Sequence, residues 1–539
     1  MIISSIVLLP PLIVLVTAAL TRHVLASLVL GIFAASFIVE KFAVGRALWH
    51  AFFSLGSMLA DPGNLYLFSF LLLLGTLIEL MTHAGGVAAC TDLFKKFVTT
   101  RRGAEGSALL PSVIFFLDDY LNSLMTGSIV RPLTDSMKVP RVKLAFLINS
   151  MSSPLCPLIP ITSWAAMIFA QLERAGVTDL PSKNELISAD PLFAHLAIVP
   201  FIFYAFFMMG SAFFIVRMRL SFGAMHEQER IAVETGNLFG GKPELQRASA
   251  VSTRQGGISE FLVPLTAFIV FVSCFILYFG DSWLFGGANG FLETLRCAGT
   301  TKSLCMASLA ALIVASVFYR WQGHFSVRQL FKSAWNGISL MKGSLSVLLL
   351  AFTFGTIIND DLHAGMYLAQ LISTALPLFI LPLIIFFLGT VTTASTGSSW
   401  GTIAILMPLT IKTLASLGAG QAPFLPYDIP VFFPSLGALI AGAVAGAHFS
   451  PITDATVVSA MSAGAYHLDH VRTQISYATP ALIGACVAFL IAGITWQWPL
   501  WTSQLLSFFC GLVITLSLLL FRNWMRVRKE LKGKTVENV

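Results

Sequence analysis

Charge is what this 539-residue chain has little of: Asp, Glu, Lys and Arg make up 11% of it. A soluble globular protein carries roughly a quarter, so a string of water-soluble domains is excluded. The G-x-G-x-x-G entry to a dinucleotide site, the Walker loop and the CxxC pair are all missing, and most cofactor chemistry loses its sequence support with them. No H-E-x-x-H occurs to suggest a metalloprotease.

Apolar residues fill the gap, at 56% of the chain with a mean hydropathy of +0.82. That is the composition of a polytopic membrane protein. The net charge of +7 does not point to nucleic acid, because the basic residues stand at the ends of apolar runs: Lys95, Lys96, Arg101 and Arg102, then Arg217 and Arg219, then Arg522, Arg526, Arg528 and Lys529. Such placement anchors helices at an inner leaflet. The first apolar run, ending at Leu20, holds Pro10 and Pro11 and no small-residue cleavage site, which predicts a retained helix rather than a signal peptide. Cys297 and Cys305 flank one short loop and could pair, but unpaired packing cysteines are the simpler reading.

Runs of spanning length lie near 2–20, 24–40, 65–83, 192–216, 260–279, 302–319, 338–358, 475–495 and 502–521, and two longer ones, 142–172 and 432–465, are interrupted by Pro and Gly. The stretch 105–131 has basic loops on both sides, so both ends face the cytoplasm, yet it is too short to cross twice. It predicts a re-entrant hairpin, and the Gly-, Ser- and Thr-rich run 376–411 predicts a second. The expected fold is all-α, with about 11 transmembrane helices plus two re-entrant hairpins. The N-terminus is then outside, while segment 217–256 and the tail Arg522–Lys534 are cytoplasmic. Residues 42–60 are read as an interfacial amphipathic helix.

The chain repeats itself. Gly75-Thr76-Leu77-Ile78 with His83-Ala84-Gly85 returns as Gly355-Thr356-Ile357-Ile358 with His363-Ala364-Gly365. Ile114-Phe115-Phe116-Leu117 with Thr126-Gly127-Ser128 returns as Ile385-Phe386-Phe387-Leu388 with Thr396-Gly397-Ser398, and Pro160-Ile161-Thr162 as Pro451-Ile452-Thr453. The first copy's leading helix runs into a basic loop and the second copy's into Asn359-Asp360-Asp361, so the copies point in opposite directions. An inverted-topology repeat with two broken helices is the architecture of secondary transporters, with substrate near the midplane. The chain divides accordingly: N-terminal transmembrane helices (1–41), a first repeat (42–218), a cytoplasmic loop (219–259), connecting helices (260–323), the second repeat (324–500), and a last helix with its basic tail (501–539).

Irregular backbone is expected at four places at membrane depth: 118–123, 149–154, 390–399 and 446–456. Carboxylates there are costly and point to function. Asp118 and Asp119 could hold a cation, or one could cap a helix N-terminus while the other pairs with Arg131. Asp454 is read as a ligand or proton carrier, or as a cap on the half-helix after Pro451. Asn122, Ser150, Thr393, Ser395 and Thr453 are the supporting oxygens of the metal-ion set. Asn149, Ser152, Ser153, Ser399 and His448 are further substrate or proton candidates. For any single hydroxyl close helix packing is the competing role, and for His448 a neutral core histidine.

Several motifs together resemble the NhaC-type sodium/proton antiporter family of the ion-transporter superfamily. They are Asp118-Asp119-Tyr120 with Arg131-Pro132-Leu133-Thr134-Asp135, the run Thr396-Gly397-Ser398-Ser399-Trp400-Gly401-Thr402, Ser450-Pro451-Ile452-Thr453-Asp454, and His467-Leu468-Asp469-His470-Val471-Arg472-Thr473-Gln474. The likeness spans about residues 40–500. It implies scaffold helices for a homodimer and a mobile unit of hairpins and broken helices. The family pattern has Asp where this chain has Asn149 and Ala447, and Cys where it has Phe449. The leading expectation is exchange of Na+ for H+ by alternating access across a bacterial cytoplasmic (inner) membrane. The alternative is a Na+- or H+-coupled carrier of a small organic acid or amino acid. A channel or membrane enzyme is a third class. No cofactor and no nucleic-acid partner is expected.

Overall fold

The computed structural model describes residues 5–21, 23–85, 100–178, 185–244, 257–296, 299–323, 325–364, 367, 377–418, 422–451 and 453–537. Nearly all of it is helix. The chain begins with α1 (Leu9–Thr21), α2 (Val24–Val39), α3 (Val44–Ala60) and α4 (Pro62–His83). Next come α5 (Arg101–Gly106), α6 (Leu109–Ile114), α7 (Asp119–Ser136), α8 (Arg141–Leu155) and α9 (Ser163–Arg174). After a pair of two-residue strands follow α10 (Pro191–Ile198), α11 (Phe203–Met218) and α12 (Gly223–Thr235). The second half holds α13 (Ser259–Phe279), α14 (Phe291–Arg296), α15 (Thr300–Trp321), α16 (Val327–Thr356), α17 (Leu381–Thr396) and α18 (Ser399–Ala415). It ends with α19 (Phe432–Phe449), α20 (Asp454–Ala463), α21 (His467–Ile494) and α22 (Leu500–Glu537).

Helix starts follow capping chemistry. Asp61 accepts from the Asn64 amide ahead of Pro62 to open α4, and Ser326 forms a full capping box with Gln329 to open α16. Small residues set the closest approaches. A Cβ on Gly337 would sit 2.5 Å from Thr76 Cα, so α4 and α16 touch backbone to backbone. A Cβ on Gly442 or Gly446 would fall 2.5 Å from the Phe386 or Thr390 carbonyl, so α17 and α19 do the same. This is the small-residue packing of membrane helices.

By length and composition, eight described helices can cross a membrane, or up to nine if the bent pair α8–α9 is one span. The chain is an all-α multi-pass membrane protein. The number differs from the eleven expected crossings for local reasons. Among the described residues, run 2–20 gives the turn Ser5–Leu8 and α1, of 13 residues, and run 24–40 gives α2, of 16. Run 192–216 is two helices, α10 and α11, parted at Val199–Ile202, where Pro200 cannot donate to the helical ladder. Leu378–Thr396, expected as one leg of a hairpin, is long and apolar enough to cross alone. The amphipathic segment 42–60 is the single helix α3, with Trp49, Phe52 and Phe53 exposed. Cys305 is a free buried cysteine, and its suggested partner Cys297 lies outside the described residues.

Candidate functional site

The site is built from breaks between helices. At the first, the chain turns through Phe115–Leu117 and restarts as α7 at Asp119. Asp118 caps that restart: its Oδ1 accepts from the Tyr120 amide at 3.0 Å and its Oδ2 from Ser163 Oγ at 2.8 Å. Capping was one of the two roles open to this pair, but Arg131, three turns further on, is not the partner of the other carboxylate. Asp119 is 5% exposed and its Oδ1 has no hydrogen-bond partner. Around it are Asp118, the Trp164 indole and, further off, Asp454. The Tyr120 phenol faces Asp454.

Asp454 opens α20, which lies beside α7 and runs the same way. Ser123 Oγ is 3.4 Å from Ser459 Oγ, a Cβ on Gly127 would meet Ser462 at 2.5 Å, and Arg131 and Arg141 reach Gly464 at the far end. Asp454 is exposed, in contrast to Asp119. It occupies the first helical position, and Thr453 stands at the cap without a side-chain capping bond.

The opposite pair of half-helices is α9 and α18. Trp164 and Trp400 meet edge to face at 6.4 Å, and the far ends of both helices, Gln171 and Arg174 with Pro408 and Lys412, line one small cavity. The first residues of α7, α9, α18 and α20 are therefore joined through Tyr120–Asp454, Asp118–Ser163 and Trp164–Trp400. Each start carries free amide N–H groups and the positive end of a helix dipole. Trp164 is 1% exposed, and neither its indole N–H nor that of Trp400 has a hydrogen-bond partner.

All four expected irregular stretches are more helical than the sequence suggests: of 118–123 only Asp118 lies outside a helix, since α7 begins at Asp119. Asn149, Ser150, Ser152 and Ser153 lie inside α8, and the crossing breaks later, between Cys156 and Thr162, where Pro157 and Pro160 interrupt it. Thr390 to Thr396, with Thr393 and Ser395, are inside α17, which ends at Gly397 with φ 78°. His448 is inside α19, and the break is confined to the residues between Phe449 and Asp454. The hydroxyls did not break these helices because they bond back one turn: Ser150 Oγ to Phe146 O at 2.6 Å and Thr390 Oγ1 to Phe386 O at 2.8 Å.

The remaining candidates fall into groups. Asn122 holds α6 against α7, donating to Ser112 O at 2.7 Å and accepting from Thr126. Ser152 and Ser123 are linked at 2.9 Å, next to Ser459. Ser153 Oγ is buried without a partner. Thr393 Oγ1 donates to Thr402 Oγ1 at 2.8 Å, Ser399 Oγ to Ala443 O at 3.1 Å, and Ser395 is half-buried. Thr453 Oγ1 lies 2.8 Å from Ala447 O at the end of α19. His448 is fully buried, with Nδ1 3.0 Å from Val444 O and Nε2 3.2 Å from Asn149 O.

Gln474, quoted in the His467–Gln474 motif but given no role from the sequence, ties the two broken crossings together. Its Oε1 accepts from Asn149 at 3.0 Å and its Nε2 donates to His448 O at 2.9 Å. A buried amide at the head of an apolar crossing was the available signal. Trp164, likewise given no role from the sequence, lies in the core. Gly397-Ser398-Ser399-Trp400-Gly401 also spells the G-x-S-x-G of hydrolases. Here Ser399 follows a helix rather than a strand and gives its hydroxyl to Ala443, so the nucleophile elbow is not formed. Among the described residues no group of three or more His, Cys, Asp or Glu could hold a metal ion, so a cation here would draw on backbone and hydroxyl oxygens.

A model of the Na+/H+ antiporter family matches residues 155–494. A protein of Haemophilus influenzae described as uncharacterized is 30% identical over 494 residues, covering 90% of this chain and 91% of its own. Among solved structures, the YdaH transporter of Alcanivorax borkumensis is 17% identical with a TM-score of 0.48, over 82% of this chain and 90% of that one. MtrF of Neisseria gonorrhoeae, described with a class of antimetabolite efflux pumps, is 13% identical with a TM-score of 0.44, over 83% and 80%. The family match takes in most of the helices that build the site, from α9 through α21. This membrane transporter belongs to the Na+/H+ antiporter family.

Proposed function

We propose that the protein exchanges Na+ for H+ by alternating access, with Asp119 as the carboxylate for which the two cations compete. The observation that carries this is Asp119 itself: buried at the start of a half-helix, one oxygen unpartnered, in a chain that spends few charges anywhere. A carboxylate taken out of water holds a proton more tightly, and a bound Na+ expels it. Asp454, reached through Tyr120, is the exposed carboxylate on the path to it. The breaks at 115–118 and 397–398 are read as the tips of two re-entrant hairpins, with α7 and α9 in the first inverted repeat and α18 and α20 in the second, so that the α7–α20 and α9–α18 pairs each join one half-helix from either repeat. Ser152, Ser153, Thr393, Ser395 and Thr453, with the carbonyls freed at the breaks, are the oxygens available to a dehydrated cation. The reading places the protein in a bacterial inner membrane with its basic tail in the cytoplasm, as a homodimer.

The test is flux in proteoliposomes holding the purified protein, with Na+ as the only solute opposing a pH gradient. Saturable Na+ movement with opposite H+ movement is expected, and Asp119→Asn should abolish both while the protein stays folded. Exchange by Asp119→Asn at the wild-type rate would remove Asp119 from the mechanism.

One observation favours a second reading. Four helix N-termini and two unpartnered indole N–H groups are all hydrogen-bond donors, and donors suit an organic anion better than Na+ alone. A Na+- or H+-coupled carrier for a small carboxylate would show no Na+ movement until such an anion is added.

A further inference from the structure

Away from that centre, a cleft of about 450 Å3 opens between α5, the start of α8, the Arg219–Ser221 turn and α12. Its floor is a closed ion cluster. Lys143 is 3% exposed, with Nζ 2.9 Å from Glu105 Oε1 and in a shorter contact with Glu229 Oε1. Arg101 Nε lies 3.5 Å from Glu105. Two cations therefore face two carboxylates, and the floor is neutral without help from the rim.

The rim is not neutral. Arg102 and Arg219 line it, and among the described residues neither is in an ion pair. The Arg102 guanidinium is aimed by donating to the Arg217 carbonyl at 2.7 Å. Arg219 is set by its backbone, held at φ 54° in the left-handed region as the C-cap of α11, a conformation that side-chain-bearing residues seldom adopt. Arg230 already has Glu227 at 2.7 Å, and Glu234 is the one rim acid. Two guanidinium groups from different elements thus line a cavity whose floor acids are consumed below them, and they outnumber its one rim acid, Glu234. Such forks match a tetrahedral oxyanion, and exposed Met218 and Val233 beside them offer apolar cover.

We propose that this cleft binds a phosphate-bearing anion between Arg102 and Arg219. An anionic phospholipid headgroup and free inorganic phosphate share that chemistry, and basic pockets at the inner face of membrane proteins take such headgroups. Lys143 belongs to α8, the helix that carries Asn149, so the occupied cleft bears directly on a broken crossing.

The experiment follows thermal unfolding of the full-length protein in detergent, with inorganic phosphate titrated against chloride at constant ionic strength. The same protein is then placed in vesicles of phosphatidylcholine alone or with phosphatidylglycerol. Wild type should be stabilised by phosphate or by phosphatidylglycerol, and the arm that responds identifies the source. Arg102→Gln/Arg219→Gln should weaken the response about tenfold or more, the two charge-assisted contacts together contributing at least that much. Lys242→Gln, which breaks a surface pair with Asp469, should leave it unchanged. If the double variant does not fold, Arg102→Gln and Arg219→Gln singly give the same reading. Equal stabilisation by chloride, or a response that the arginine variants keep in full, overturns the proposal.

Discussion

Ser163 Oγ donates a 2.8 Å hydrogen bond to Asp118 Oδ2 and so joins the first residues of two half-helices that leave their meeting point in opposite directions. From it α7 runs to Ser136, beside the Arg141 ion pair with Asp135. The other, α9, continues the line of α8 after a 41° bend and ends at Arg174, which bonds Phe352 O and Thr356 Oγ1 on α16. Adjacent aspartates at this junction have divided the work. Asp118 is spent on structure, and Asp119 keeps an oxygen free.

That division predicts unequal outcomes for two chemically identical changes. Asn caps a helix about as well as Asp, so Asp118→Asn should fold normally and keep most of its exchange activity. Asp119→Asn should fold normally and lose exchange. Flux measured side by side in the same vesicle preparation checks this, with Asp118→Ala expected to cost about 1–2 kcal/mol of stability through the lost cap.

The contact between α17 and α19 leaves no room for a side chain. Gly446→Val would place a Cβ 2.5 Å from the Thr390 carbonyl and 2.6 Å from Thr393 Cβ. Overpacking of this kind costs on the order of 1–3 kcal/mol, so the melting temperature in detergent should fall clearly. Gly45→Ala, where nothing lies within 4 Å, is the matched control and should not lower it.

Among the described residues Lys143 is the cation shared by buried Glu105 and Glu229. Lys143→Met strands Glu229 and leaves Glu105 with Arg101 alone, 3.5 Å away, and breaking a buried ion pair from one side costs about 3–5 kcal/mol. The triple change Lys143→Met/Glu105→Gln/Glu229→Gln removes the charges together and should recover most of that loss. Thermal unfolding of the two variants decides it.

Gln474 holds Asn149 and the His448 carbonyl with the two ends of one amide. Gln474→Leu leaves both buried groups without that partner, at about 1–3 kcal/mol each. Stability should fall and exchange should drop with it, since α8 and α19 lose their common brace. Gln474→Glu keeps the acceptor for Asn149 but not the donor to His448 and should lie between.

Much of this was legible in the chain. Apolar runs marked most of the long helices, and the paired Asp118-Asp119 and Ser450 to Asp454 motifs marked where α7 and α20 begin. Less legible was where helices stop. Ser150 and Thr390 look like loop residues in sequence, yet each satisfies its hydroxyl on the carbonyl one turn back and leaves the helix whole. The true breaks fall at Pro157, Pro160 and Gly397, where the backbone itself cannot continue. Gln474 and Trp164 could not be placed because their roles depend on partners hundreds of residues away, Asn149 and Trp400.

If Asp119 serves both cations, Na+ and H+ must compete for it, and kinetics read that competition most directly. Initial rates of Na+ uptake should be measured in wild-type proteoliposomes over a range of Na+ concentrations at several pH values. Competition at Asp119 predicts a KM for Na+ that rises about tenfold for each unit of acidification below the group's titration point, with the maximal rate unchanged. A KM that ignores pH while the maximal rate moves would mean that protons and Na+ use separate sites, and that Asp119 is not the group they share.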